Sequence, residues 1–96
     1  MHFVIQTQDK PNAFDLRAAQ RPAHLDYLKE QSAILLAAGP FLDDENRMIG
    51  SLFVVDVASE AEARRFAEND PFAKAGLFSS TTIRKWRWIV GAPAKG

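Results

Sequence analysis

Residues 50–57 read Gly50-Ser51-Leu52-Phe53-Val54-Val55-Asp56-Val57, the clearest strand in the chain by its β-branched and aromatic content. Side chains alternate across a strand, so Leu52 and Val54 share one face while Phe53, Val55 and Val57 share the other. Both faces are apolar. A sheet built on this strand therefore needs cover on two sides, and that requirement shapes the reading of everything around it.

On the N-terminal side, Phe3 to Gln8 reads as a strand with Phe3 and Ile5 on one face and Val4 on the other, broken by Asp9-Lys10-Pro11-Asn12. Asn12 to Gln20 fits either a short helix through Phe14, Leu16, Arg17 and Ala18 or a loop. Pro22 suits a first helical turn, and the helix it opens runs to about Ser32 or Ala33. Ile34 to Ala38 is an apolar run that fits a helix extension or a strand. The Gly39-Pro40 stop and the loop Asp43 to Arg47 behind it favour a strand entering a hairpin. On the C-terminal side, Ser59 and Glu62 form a capping box, and Ala61, Ala63, Phe66 and Ala67 make the apolar face of a second helix ending near Asn69. Asp70-Pro71 then opens a short helical turn to Gly76, Thr81 to Val90 is the last strand, and residues 91–96 form a frayed tail.

The order strand, helix, strand, strand, helix, strand predicts a single α+β domain over residues 1–96. Its fold class is a ferredoxin-like split βαβ sandwich, with two helices on one face of an antiparallel sheet. Two helices cover only that face. In the last strand Trp86, Trp88 and Val90 share a side, with Ile83 and Ile89 opposite. Self-association is the economical cover for the open face, giving a homodimer with Trp86 and Trp88 near its interface. A ligand pocket lined by the two tryptophans, or packing against the tail, are the alternatives.

Composition narrows the chemistry. Twelve basic residues balance twelve acidic ones, so no net field favours nucleic acid or an anionic membrane. There is no cysteine, which removes disulfides, thiol catalysis and zinc–thiolate sites. With only His2 and His24 as imidazoles and no close carboxylate at ligand spacing, no metal site is expected. The acidic loop Asp43 to Glu45 lacks calcium-loop spacing. No apolar run approaches the roughly 20 residues of a membrane span. Met1-His2 leads straight into a strand and not into a signal peptide, so a soluble, cytoplasmic protein is the expectation.

His24 leads a helical stripe with Leu28, Gln31 and Leu35, which points it inward at the rim of the core, near the positive end of the predicted helix. An imidazole there is either a packed polar residue or a piece of chemistry. Asp70 suffices as a cap of the turn that Pro71 begins. The split βαβ topology also lets it approach His24, where a carboxylate would fix the imidazole tautomer. Arg17 and Arg21 precede His24; they can hold a carboxylate or enolate oxygen, or be solvated or paired with an acid such as Asp15. Gly39-Pro40 and Gly50-Ser51 read as punctuation bordering the hairpin.

Arg17, Arg21-Pro22-Ala23-His24-Leu25-Asp26-Tyr27-Leu28, Ala38-Gly39-Pro40-Phe41, Gly50-Ser51, Glu62-Ala63, Asn69-Asp70-Pro71-Phe72 and Ala75-Gly76-Leu77-Phe78 together resemble the YCII-related (YciI-like) family. The resemblance runs from Phe3 to about Trp88, and departs locally at Gln31-Ser32-Ala33, where the family often has a glycine. The family is similar in fold to the dimeric α+β barrel proteins, so the resemblance implies a dimer whose sheets pack face to face. It also implies that His24 and Asp70 are a catalytic pair in a cleft between helices and sheet, where Arg17, Arg21, Gly39, Pro40 and Ser51 are the candidate substrate contacts. One relative is a dehydrochlorinase acting on a chlorinated hydroxyquinol, and muconolactone isomerases share the broader fold. The expected function is therefore a cofactor-free enzyme of lyase or isomerase type on a small oxygenated ring. A non-catalytic dimeric binding or accessory module is the rival, and a cofactor-free monooxygenase a third option.

Overall fold

The computed structural model describes residues 1–92. The chain runs β1 (His2–Asp9), α1 (Phe14–Glu30), β2 (Leu35–Leu42), β3 (Met48–Asp56), α2 (Glu60–Asn69), α3 (Pro71–Lys74) and β4 (Phe78–Trp86). The strands form one antiparallel sheet in the order β2-β3-β1-β4, which is the expected split βαβ sandwich with a short α3 added before the last strand. Of the expected frayed tail, residues 93–96 lie outside the described residues. Among the described residues no helix is long and apolar enough to cross a membrane.

The alternation in β3 sets the core. Phe3 pairs with Val55 and Ile5 with Phe53, so these four side chains stand on the helix-facing side of the sheet, none more than 2% exposed. Burying such side chains stabilises the fold by about 1.5–3 kcal/mol each. Helix α2 starts where its cap predicts: the Glu62 N–H donates to Ser59 Oγ at 3.3 Å. Its Ala63, Phe66 and Ala67 are buried, and Phe66 meets the Phe53 ring edge-on at 5.5 Å between centroids. Val4, Leu52, Val54, Trp86 and Trp88 border a recess on the opposite, open face.

Three local expectations are corrected. Helix α1 begins at Phe14, so the ambiguous stretch takes its helical alternative from there on, and Pro22 lies inside the helix, not at its start. Pro22 and Ala18 are both exposed, so water can reach the Ala18 carbonyl that loses its partner four residues on. Tertiary packing of α1, with Tyr27 and Leu28 against the core and Arg17 and His24 buried, outweighs this local preference. His24 consequently sits in the body of the helix, away from its positive end. Strand β2 continues through Gly39-Pro40 to Leu42, because an edge strand can carry a proline whose missing N–H is not needed in the ladder. Gly50 and Ser51 lie within β3, as the strand reading of residues 50–57 expects, and not in the turn they border. A Cβ at Gly50 would collide with the Thr7 carbonyl oxygen of β1.

The last strand begins at Phe78 and ends at Trp86, four residues short of Val90. Trp86 pairs with His2 at the end of the β1–β4 ladder. Trp88 therefore leaves the strand alternation and packs near Trp86, the two rings edge-on at 4.7 Å. Ile89 and Val90 are 83% and 86% exposed.

Helices α1 and α2 are tied by Tyr27, whose hydroxyl donates to the Phe66 carbonyl at 2.8 Å while its ring lies against that of Phe66. Burial pushes the Tyr27 phenol from its ordinary value of 10.0 up to about 12, and the negative charges of Asp70 and Glu30 add to the effect. A folded-state value raised above the unfolded one stabilises the fold fully below pH 10.0, and that contribution is lost as the pH rises through about 12. Tyr27 is the only tyrosine in the chain, which makes the outcome readable by absorbance. After a rapid jump to about pH 11, the tyrosinate band near 295 nm should appear only as the protein unfolds. Immediate ionisation in the folded protein would show that the hydroxyl is not held by Phe66.

Candidate active site

Helix α1 directs Arg17 and His24 to its buried side, two turns apart and 5% and 6% exposed. His24 Nδ1 lies 2.8 Å from Asp70 Oδ1. Asp70 is fully buried at the junction of α2 and α3, with the extended backbone of an N-cap, and the same Oδ1 accepts the Phe72 N–H at 3.0 Å. Pro71 is pre-set for the helical position that follows. The Phe72 ring then stacks on the imidazole, with centroids 3.9 Å apart and planes 13° from parallel. Asp70 and Phe72 thus hold the ring by its edge and by its face. Phe53 of β3 lies 6.0 Å from it in a tilted arrangement.

A carboxylate only accepts, so Nδ1 donates and carries the hydrogen of the neutral ring. Nε2 is left with a free lone pair and has no hydrogen-bond partner among the described residues. That is the arrangement of an oriented general base. Asp70 Oδ2 is buried without a partner among the described residues. An unsatisfied buried acceptor costs about 1–3 kcal/mol, so the pair is held at some expense of stability.

Arg17 is neither solvated nor paired with Asp15. Its Nε donates to Asp9 Oδ2 at 2.7 Å, and its Nη2 reaches Asp9 Oδ1 at 3.4 Å, the Gly50 carbonyl at 2.9 Å and Ser51 Oγ at 2.8 Å. Its guanidinium also lies over Phe72, 4.6 Å from the ring centroid. Arg21, by contrast, is exposed and makes no ion pair among the described residues.

The candidate contacts Arg17, Arg21, Gly39, Pro40 and Ser51 all border one cavity of about 170 Å³, together with His24. Leu25, Leu28, Met48 and Phe53 supply apolar wall, and among the described residues no acidic side chain lines it. Asp70 stands behind His24 and not on the wall. Sequence reasoning missed two residues. In the sequence Asp9 reads as part of a strand break, and no local pattern marks it as the partner of an arginine eight residues on. Phe72 reads in the sequence only as part of the turn that Asp70-Pro71 opens; its place directly after that capping pair is the available signal. Among the described residues, no group of three or more His, Cys, Asp or Glu side chains is placed to hold a metal ion.

The chain matches the YCII-related domain over residues 1–87. An uncharacterised protein of Haemophilus influenzae is 34% identical over 97 residues, covering 93% of this chain and 99% of its own length. Protein YciI of Escherichia coli O6:H1 is 30% identical with the same coverage. A solved structure of 5-chloro-2-hydroxyhydroquinone dehydrochlorinase from Burkholderia phenoliruptrix AC1100, in complex with 2,5-dihydroxybenzoquinone, is similar at a TM-score of 0.83 and 37% identity. That likeness covers 91% of this chain and 94% of the other.

Proposed function

The chain belongs to the YCII-related family, and we propose that it is an acid–base enzyme of lyase or isomerase type acting on a small oxygenated ring. The observation that carries this is the buried His24–Asp70 contact of 2.8 Å beside the cavity that His24 helps to line. Nε2 takes a proton from an O–H or C–H of the substrate. Asp70 keeps the ring in the right tautomer and stabilises the imidazolium that forms. In an isomerisation the proton returns to another atom of the product; in an elimination it leaves with the departing anion, so that a neutral acid is lost overall. Arg21, which borders the cavity and makes no ion pair among the described residues, balances the negative charge that develops on the substrate's oxygen.

The size of the cavity supports a single ring. At about 170 Å³ it compares with the roughly 150 Å³ that admits benzene in an engineered apolar cavity. The likeness to a dehydrochlorinase of a hydroxylated ring supports the same substrate class.

The test is turnover of single-ring hydroxylated substrates, beginning with 5-chloro-2-hydroxyhydroquinone and chloride release. His24→Ala and Asp70→Asn should each lower kcat/KM by about 10²–10⁴-fold. Asparagine can keep the cap on Phe72 through its Oδ1 while removing the charge, so Asp70→Asn should remain folded. A wild-type protein that binds such rings without converting any would favour the binding-module reading. Unchanged turnover in both variants would remove the pair from the mechanism.

We further propose that the open sheet face closes on a second copy of the chain. Supporting this are the recess of about 570 Å³ bordered by Val4, Leu52, Val54, Trp86 and Trp88, and the buried Trp88 Nε1 that lacks a partner among the described residues. Sedimentation velocity at micromolar concentration should show a dimer, and Trp86→Glu should shift it toward monomer or aggregate. A stable wild-type monomer would contradict the two-sheet arrangement.

A further inference from the structure

The corner of the cavity built by Asp9, Arg17, Gly50 and Ser51 has a chemistry of its own. A buried Arg–Asp pair is weak evidence of a stabilising role, because desolvation offsets much of the attraction. This one is arranged around a hydroxyl. Ser51 Oγ accepts from Arg17 Nη2 at 2.8 Å, which uses one of its lone pairs. Its single hydrogen has no acceptor among the described residues, although Ser51 is only 2% exposed and borders the cavity. Accepting from a cation polarises the O–H bond and strengthens it as a donor. Asp9 grips Arg17 through Nε and Nη2, and the Gly50 carbonyl accepts from the same Nη2, so the guanidinium that orients the hydroxyl is itself held on two sides.

We infer that the Ser51 hydroxyl, oriented by the Asp9–Arg17 pair, is the donor that receives an oxygen of the substrate, with Asp9 acting as a positioning residue. The inference rests on the acid–base reading and deepens it. When His24 removes a proton, the electrons it leaves behind accumulate on an oxygen of the ring, and a preorganised donor stabilises that charge without moving. Asp9 balances the charge of Arg17, so this corner contributes a directed hydrogen bond with little net charge, while the charge itself comes from Arg21 at the exposed side. The substrate class that fits is a single ring with an enolic or phenolic oxygen, one neutral donor meeting it at Ser51.

The probe is 2,5-dihydroxybenzoquinone, titrated into wild-type protein and variants by absorbance or calorimetry. Ser51→Ala should weaken binding at least tenfold with thermal unfolding little changed, and Ser51→Thr, which keeps the hydroxyl, should bind within threefold of wild type. Asp9→Asn should weaken binding too, but should cost little more when added to Ser51→Ala, since Asp9 acts through that hydroxyl. Ser51→Ala binding within twofold of wild type, or Ser51→Thr losing as much as Ser51→Ala, would overturn the donor role. Additive losses from Asp9→Asn and Ser51→Ala would overturn the positioning role. Should Asp9→Asn fail to fold, the two serine variants still decide the donor. Wild-type protein that does not bind the quinone would instead overturn the acid–base reading of the cavity, and this inference with it.

Discussion

One carboxylate oxygen, Asp70 Oδ1, holds two donors at once, the Phe72 N–H and His24 Nδ1, and the arrangement of the helical layer depends on it. The first contact caps α3 and fixes the turn out of α2; the second ties that turn to the middle of α1. Together with the Phe72 ring packed on His24 and Arg17, this shared acceptor sets how α1 and α3 sit against each other and where the imidazole lies. A side chain that is fully buried, with Oδ2 left without a partner among the described residues, is a costly way to cap four residues of helix. Its cost is intelligible if the second contact matters to function, because strained or unsatisfied groups tend to gather at sites of chemistry.

The cavity joins two such constructions. On one side Asp70 and Phe72 present His24; on the other, Asp9 and the Gly50 carbonyl present Arg17 and, through it, Ser51. Phe72 links them, stacked on the imidazole and lying under the guanidinium. Neither polar group is carried on a loose loop. Arg17 and His24 sit on the longest helix and Ser51 on β3, next to the β1 strand that carries the core. Rigid elements of this kind are what hold reacting groups within the fractions of an ångström that catalysis needs.

Much of this was legible in the chain. Strand β3 announced itself through its content and its two apolar faces, and the caps at Ser59 and Asp70 marked the starts of α2 and α3 because a capping side chain is a local, self-contained device. The pairing of His24 with Asp70 was allowed by topology and implied by the family resemblance, and the 2.8 Å contact is what brings it about. What misled were local rules overruled by distant contacts. Pro22 reads as a helix start, yet the tertiary packing of α1 carries the helix through it. Gly39-Pro40 reads as a stop, yet an edge strand tolerates it. Asp9 was not legible at all, since its role exists only once β1 and α1 are packed together.

The central claim is that the His24 ring is held through Nδ1, with Nε2 bare toward the cavity. Long-range ¹H–¹⁵N correlation of the imidazoles measures this directly, with His2 assigned through a His2→Gln variant. The account predicts that the neutral His24 ring carries its hydrogen on Nδ1 and shows an unprotonated Nε2. A neutral ring protonated on Nε2 would contradict it, because the nitrogen meant to accept the substrate's proton would already be occupied.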